Sequence, residues 1–412
     1  MRLFCCMCFA TLLMLGASEA KNTVKLKCSI DKLVYLPAAY QVASDDLESL
    51  FDKGNYRKNP YFEWLTLKKD RAIFKRNRSQ SFKIDLTMLA GEVPIDEAVL
   101  DFEKGKFLGI TISVFNRGDG GSIVQTEFQR RCDLIGKHLS EQLDTKPKKR
   151  VGNIKKGIMT SGYVWESPRG KAILEYNLGA PGRIEFVRVR LATKASKGIY
   201  AAAMKERSQA TVRKSSLTRN VVKEGGNVYI EGIPMVDQGA KGYCVVASAQ
   251  RLFEYYGIAC DMHQLAVLAQ SDPRQGTSTL LINQQLGAID YLFKTRFTCL
   301  AVRHNNGLFQ LKDEKYVGKP VDEKKFHKLI RTNIDDGIPL LWSLMLGVAE
   351  EEPNLNPQTS GGHMRMIIGY NDETERIIFT DSWGAGHEFK TIGSKDIYKV
   401  TQGVFLMKPT TN

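Results

Sequence analysis

A glutamine, Gln238, precedes a cysteine, Cys244, in the stretch VDQGAKGYC, with Gly239 and Gly242 between them. After the cysteine, Val245, Ala249, Leu252, Phe253 and Tyr256 recur at helical spacing, and Gly257 is a natural stop. This pattern predicts a helix that begins at Cys244. Unpaired N–H groups and the macrodipole at such a position favour a thiolate. The spacing also lets the Gln238 amide fold back beside the sulfur, where it can donate to an oxyanion. A thiolate and an oxyanion donor are the start of acyl-transfer chemistry.

The motif Q-G-x-x-G-x-C resembles the nucleophile segment of papain-like cysteine peptidases. Gly361-Gly362-His363, running into Met364–Gly369 and Tyr370, resembles the histidine strand of that clan. Thr380-Asp381-Ser382-Trp383-Gly384 resembles its N-S-W-G box, with Asp in place of Asn. The aspartate, the VDQG lead-in and the short domain are closer to the bacterial C39-like branch. The resemblance covers the C-terminal part of the chain, 228–412, and none of the first half. It implies a Cys-His-acid triad: Cys244 as nucleophile, His363 as the base that takes and returns a proton, and Asp381 orienting the imidazole. Gln238 and the backbone N–H of Cys244 would form the oxyanion hole, and Trp383 would shield the His–Asp bond. Two positions depart from the papain pattern, Lys241 three residues before the nucleophile and Gly362 before the histidine.

Among the other histidines His387, after Gly384-Ala385-Gly386, is the second choice for the base. His138 is expected on the polar side of a helix. His263 follows a helix cap, and His304 and His327 sit in polar surroundings. Glu350-Glu351-Glu352, ahead of His363, either border the cleft and prefer basic substrates or form a solvated acidic loop.

The elements that must hold these residues read as helices first and strands second. Asp261-Met262-His263-Gln264 is a capping box, and Asp322 caps a helix with Phe326, Leu329, Ile330 and Ile334 inward. Leu280, Leu281, Leu286 and Ile289 mark another helix. Strands are expected at 340–346, 363–370, 377–380, 388–391 and 404–407. The order agrees with an α+β, papain-like domain whose helices precede an antiparallel sheet.

The 412 residues are enough for two or three domains. Residues 1–20 carry Arg2, an apolar run and a small-residue end, the composition of a secretory signal, which implies export. Later stretches fall short of the run of about 18 apolar residues that a membrane span needs. The region 21–193 reads as one α+β domain, or two split near 146–156. It has strands around Lys69-Asp70, a hairpin at Lys104-Gly105, and a helix with Phe128, Cys132, Ile135, Leu139 and Leu143 inward. Residues 194–227 read as an exposed basic linker, and 228–412 as the catalytic domain.

The chain carries a net charge of +14, which makes anionic envelope surfaces a candidate partner beside the peptide substrate. The basic runs at 146–156 and 205–223 contain no interleaved aromatic residues, which argues against nucleic acid. Neither a cofactor nor a metal is implied, since no CxxC follows residue 20. Of the five cysteines beyond that point, Cys260 and Cys299 are a candidate disulfide, and an odd thiol remains. The expected activity is peptide hydrolysis. Acyl transfer or amidase chemistry on the same fold, or a binding module with a vestigial triad, are the alternatives.

Overall fold

The structure, a computed structural model, describes residues 24–411 except 80–81, 153–159, 179–182, 206–208, 240–241, 270, 272–283, 285, 289, 313–315 and 356–359. The leader 1–20, Lys241 and most of the helix expected around Leu280–Ile289 lie outside the described residues.

The first layer is an eight-stranded antiparallel sheet. Its hairpin is the expected one: strands Glu97–Glu103 and Lys106–Asn116 turn at Lys104 and Gly105, both at positive φ (52° and 77°). Ala98, Leu100 and Phe102 alternate into the core. The helix Gln125–Leu143 lies on the sheet and buries the five residues named above. His138 is buried with them, against the expectation of a polar position. Its Nε2 lies 3.2 Å from the Val34 carbonyl, and its ring meets Tyr35 edge-on at 4.7 Å. The strand Ile184–Ala192 pairs with Lys106–Asn116 on one side and Gly170–Leu178 on the other. The sheet therefore runs unbroken across the split entertained at 146–156.

Every residue of Ile184–Ala192 is buried, although the strand alternates Val187, Val189 and Leu191 with Arg188 and Arg190. Its apolar side joins the core under the helix, and its charged side is covered by the rest of the chain. Arg188 and Arg190 both reach Glu175 (2.9 and 2.6 Å), and Arg188 also pairs with Asp261. Buried charges of this kind need their partners in place, so the two halves are joined by more than a tether.

The segment 194–227 also differs from an exposed linker. Helix Gly198–Ala203 buries Tyr200, whose hydroxyl donates to Asp101 at 2.7 Å. Strand Val221–Glu224 pairs with Asn227–Ile230, which pairs in turn with Gly361–Asn371. Sequence polarity was a poor guide here because the helix is anchored by one aromatic residue and small alanines.

The C-terminal part follows the expected order. Helices Cys244–Tyr255, Met262–Leu268 and Glu323–Asp335 precede most of an antiparallel sheet. At the sheet's centre Thr401–Pro409, Leu340–Leu346, Gly361–Asn371 and Arg376–Thr380 pair in that order. Asp261 and Asp322 cap their helices as read. The strands Thr295–His304, Gly307–Lys312 and Tyr316–Val321, which extend one edge, were not anticipated. The first of these is mostly half-buried or exposed, so it lacks the strong apolar alternation that marks a strand.

Candidate active site

Cys244 is the first residue of its helix, and Gly257 past the other end takes φ +70°. Ser248 and Arg251, at i+4 and i+7 from Cys244, share the cysteine's side of the helix. Ser248 donates to the Met364 carbonyl at 3.2 Å, which ties the helix to the strand of His363. Arg251 is 1 % exposed. Its guanidinium donates to the Pro234 carbonyl (2.7 Å), the Asp381 carbonyl (2.8 Å) and the Thr380 hydroxyl (2.6 Å). One side chain thus fixes the helix, the loop before Gln238 and the strand end before Asp381.

Gln238 is buried on that loop. Its backbone N–H donates to the Ser382 carbonyl at 3.0 Å, and its Oε1 accepts from the Ser382 hydroxyl at 2.8 Å. The carbonyl end of the amide is thereby held, and the turn at Gly239 (φ +70°) is closed by a bond to Asp237. The N-terminal layer grips the same loop. Arg71 donates to the Met235 carbonyl (2.9 Å) and pairs with Asp101 (2.8 Å) and Glu254 (3.0 Å), while Lys75 pairs with Asp237. Leu65 and Ile73 pack on Met235.

His363 and Asp381 lie on neighbouring strands of the sheet and its exit. Nε2 of His363 is 2.8 Å from Oδ1 of Asp381, and both groups are buried. Nδ1 is left for the hydrogen bond with the Cys244 sulfur. Trp383 stacks on the imidazole, centroids 4.5 Å apart and planes 18° off parallel. Burial by itself would lower the proton affinity of His363, but the Asp381 carboxylate and the bonds to Asp381 and Cys244 outweigh it. The histidine's pKa is raised to about 9. Burial would likewise raise that of Asp381, yet His363 and Arg365 hold it well below the usual carboxylate range.

Arg365 was missed by the sequence reading. It follows His363 by two residues on one strand, hence on the same face, and is fully buried. A lone arginine inside an apolar strand was the signal. Its Nε donates to Oδ2 of Asp381 at 2.6 Å, and its Nη1 donates to Glu351 at 2.9 Å. Glu351 also pairs with Lys390 at 2.5 Å. Glu351 is therefore an internal counter-ion instead of a cleft wall, and Glu352 pairs with Arg376.

This row explains the aspartate at 381. Oδ1 accepts from His363 and from the Ser382 N–H (2.8 Å), and Oδ2 accepts from Arg365. Three donors converge on two oxygens. An asparagine would turn its NH₂ toward one of them in either orientation.

The remaining histidines meet other groups. His387 lies on Trp383 edge-on at 5.6 Å, and burial lowers its pKa. His263 meets the Asn116 amide at 2.9 Å, His327 is buried, and His304 is exposed in a hairpin. Cys28, Cys132, Cys244, Cys260 and Cys299 are all free thiols, so the Cys260–Cys299 bridge is not made. Burial pushes Cys28 and Cys132 up to about 12 and Cys299 to about 11, and raises Cys260 as well. Among the described residues no group of three or more His, Cys, Asp or Glu is placed to hold a metal ion, and no helix is long and apolar enough to cross a membrane.

A cysteine at a helix start, a histidine strand and a Trp-covered carboxylate on an antiparallel sheet define a papain-like domain. Residues 230–403 match the Peptidase_C39 like family, an interval that contains Gln238, Cys244, His363, Asp381 and Trp383. The match lies wholly in the C-terminal part of the chain. Among solved structures, xylellain, a cysteine protease from Xylella fastidiosa, is similar at 12 % identity and a TM-score of 0.30, over 50 % of this chain and 92 % of that one. No curated protein matches the chain.

Proposed function

We propose that this protein hydrolyses peptide bonds, with Cys244 as nucleophile, His363 as acid and base, Asp381 as the orienting group and Gln238 as an oxyanion donor. The observation that carries the reading is His363, bound through Nε2 to Asp381 and through its other nitrogen to the Cys244 sulfur. A histidine whose pKa is raised to about 9 stays an imidazolium at neutral pH and holds a thiolate beside it.

The thiolate attacks the carbonyl carbon, and the electron pair of the C=O bond moves to oxygen, toward the Gln238 amide and the Cys244 N–H. As the oxyanion collapses, the C–N bond breaks and His363 gives its proton to the leaving amine. Water then attacks the thioester while His363 takes its proton. Release of the acid restores the ion pair.

The leader 1–20 supports export in this reading. Residues 21–193 and 228–412 are proposed as the two units, with 194–227 joining them.

Labelling with a thiol-reactive epoxide peptide, followed by peptide mapping, tests the assignment. Cys244 should react far faster than the other four thiols, also at mildly acidic pH, and the advantage should vanish in His363→Ala. Equal labelling at all five would refute it.

A further inference from the structure

Beside Trp383 the two layers of the protein enclose a cleft of about 710 Å³. Trp383, Gly384 and Ala385 form one wall, and Lys53, Arg57, Lys58, Trp64 and Lys69 of the N-terminal layer form the other. The four cations are exposed, and among the described residues none of Lys53, Arg57 and Lys58 makes an ion pair. Lys69 stands over the Trp64 ring at 6.0 Å. Three acidic groups line the same walls: Asp237 pairs with Lys75, Glu48 accepts from the Asn59 amide at 3.2 Å, and Glu63 also acts on the Lys75 charge. Surface cations without partners next to half-buried aromatic rings are unused binding capacity.

The position of the cleft decides what enters it. Trp383 has one face on His363. In the reaction proposed above, His363 gives its proton to the leaving amine, so the amine half of the substrate lies on the imidazole side. A chain leaving the Cys244–His363 pair in that direction passes Trp383 and runs into the cationic wall.

We propose that this cleft is a subsite for acidic residues on the C-terminal side of the scissile bond, so that the substrates are polypeptides with carboxylates there. The inference rests on the peptidase reading. Lys53, Arg57 and Lys58 are then specificity-determining residues supplied by the N-terminal layer, and the catalytic segment alone lacks them. A polypeptide is favoured over an anionic glycan because the cleft shares Trp383 with the proposed reacting histidine.

The test is binding to the full-length Cys244→Ala protein, which needs no turnover. Fluorescent peptides rich in glutamate, glutamine or lysine, and a fluorescent anionic polysaccharide, serve as probes at low and high salt. The glutamate peptide should bind at least about tenfold tighter than the lysine peptide, and the preference should shrink as salt screens it. Lys53→Glu, Arg57→Glu and Lys58→Glu together should reverse the order, with thermal melting showing that these exposed changes leave the fold intact. Equal binding of the peptides, an unchanged preference in the triple variant, or binding of the polysaccharide alone would each overturn the proposal. Failure of Cys244 to react with the epoxide would instead overturn the reaction.

Discussion

Asp381→Asn is the perturbation that the buried row makes most informative. The pKa of His363, about 9 against an ordinary 6.5, corresponds to about 3 kcal/mol in favour of the imidazolium. The carboxylate is the largest influence raising it, and burial opposes. With a neutral amide at 381, burial prevails and the pKa returns to the ordinary value or below. At about pH 8 the imidazolium fraction then falls from about 90 % to about 3 %, a loss of about 30-fold, whereas near pH 6 it changes little. The measurement is the rate of Cys244 alkylation by iodoacetamide against pH, which requires no knowledge of the substrate. Alkylation at about pH 8 should be slower in the variant, because a histidine with lower proton affinity leaves the proton on the sulfur and less of the thiolate–imidazolium pair forms. Coincident profiles for the two proteins would refute the role given to the carboxylate.

The same raised pKa makes a statement about stability. A group whose folded pKa lies above its unfolded value stabilises fully below the unfolded one, so the His363 contribution is present below about 6.5 and lost as pH rises through about 9. The melting temperature should fall over that window in the wild type and much less in His363→Ala. Arg365→Met leaves Asp381 and Glu351 without the cation between them and should destabilise the fold by about 3–5 kcal/mol in chemical denaturation, far more than Arg376→Met at the surface. Gln238→Ala should lower kcat for peptide hydrolysis by about 100- to 1,000-fold, yet leave iodoacetamide alkylation alone, since that reaction develops no oxyanion. Arg71→Met removes the bond to the Met235 carbonyl and the pairs with Asp101 and Glu254, so a loss of both stability and turnover is expected; a variant unaltered in both would show that the N-terminal layer does not hold the Gln238 loop.

The sequence was most readable where one period dominates. The helix at Cys244, the helix under the first sheet and the hairpin at Lys104-Gly105 announce themselves by apolar spacing and turn residues, and each lies where its pattern put it. Cys244, Gln238, His363 and Asp381 were found as motifs separated along the chain, and the structure brings them together. What stayed hidden was the support. Arg251, Arg365, Glu351 and Lys390 are charged residues in apolar surroundings, and each has partners far away in sequence. No periodicity predicts a pairing of that kind. Arg188 and Arg190 hid the docking of the two layers for the same reason: alternating arginines read as a solvated face until something covers them.

The convergence of three donors on the Asp381 carboxylate ties two positions of the sequence to each other. Where a buried arginine follows the catalytic-strand histidine by two residues, only a full carboxylate satisfies both neighbours. Where the arginine is absent, an amide serves as well, its oxygen to the imidazole and its NH₂ free to find another acceptor. The letter at 381 and the letter at 365 should therefore change hands together among relatives of this domain, Asp with Arg and Asn without it. A substitution at either site alone is a step that descent has to cross with one buried hydrogen bond of the row unmade.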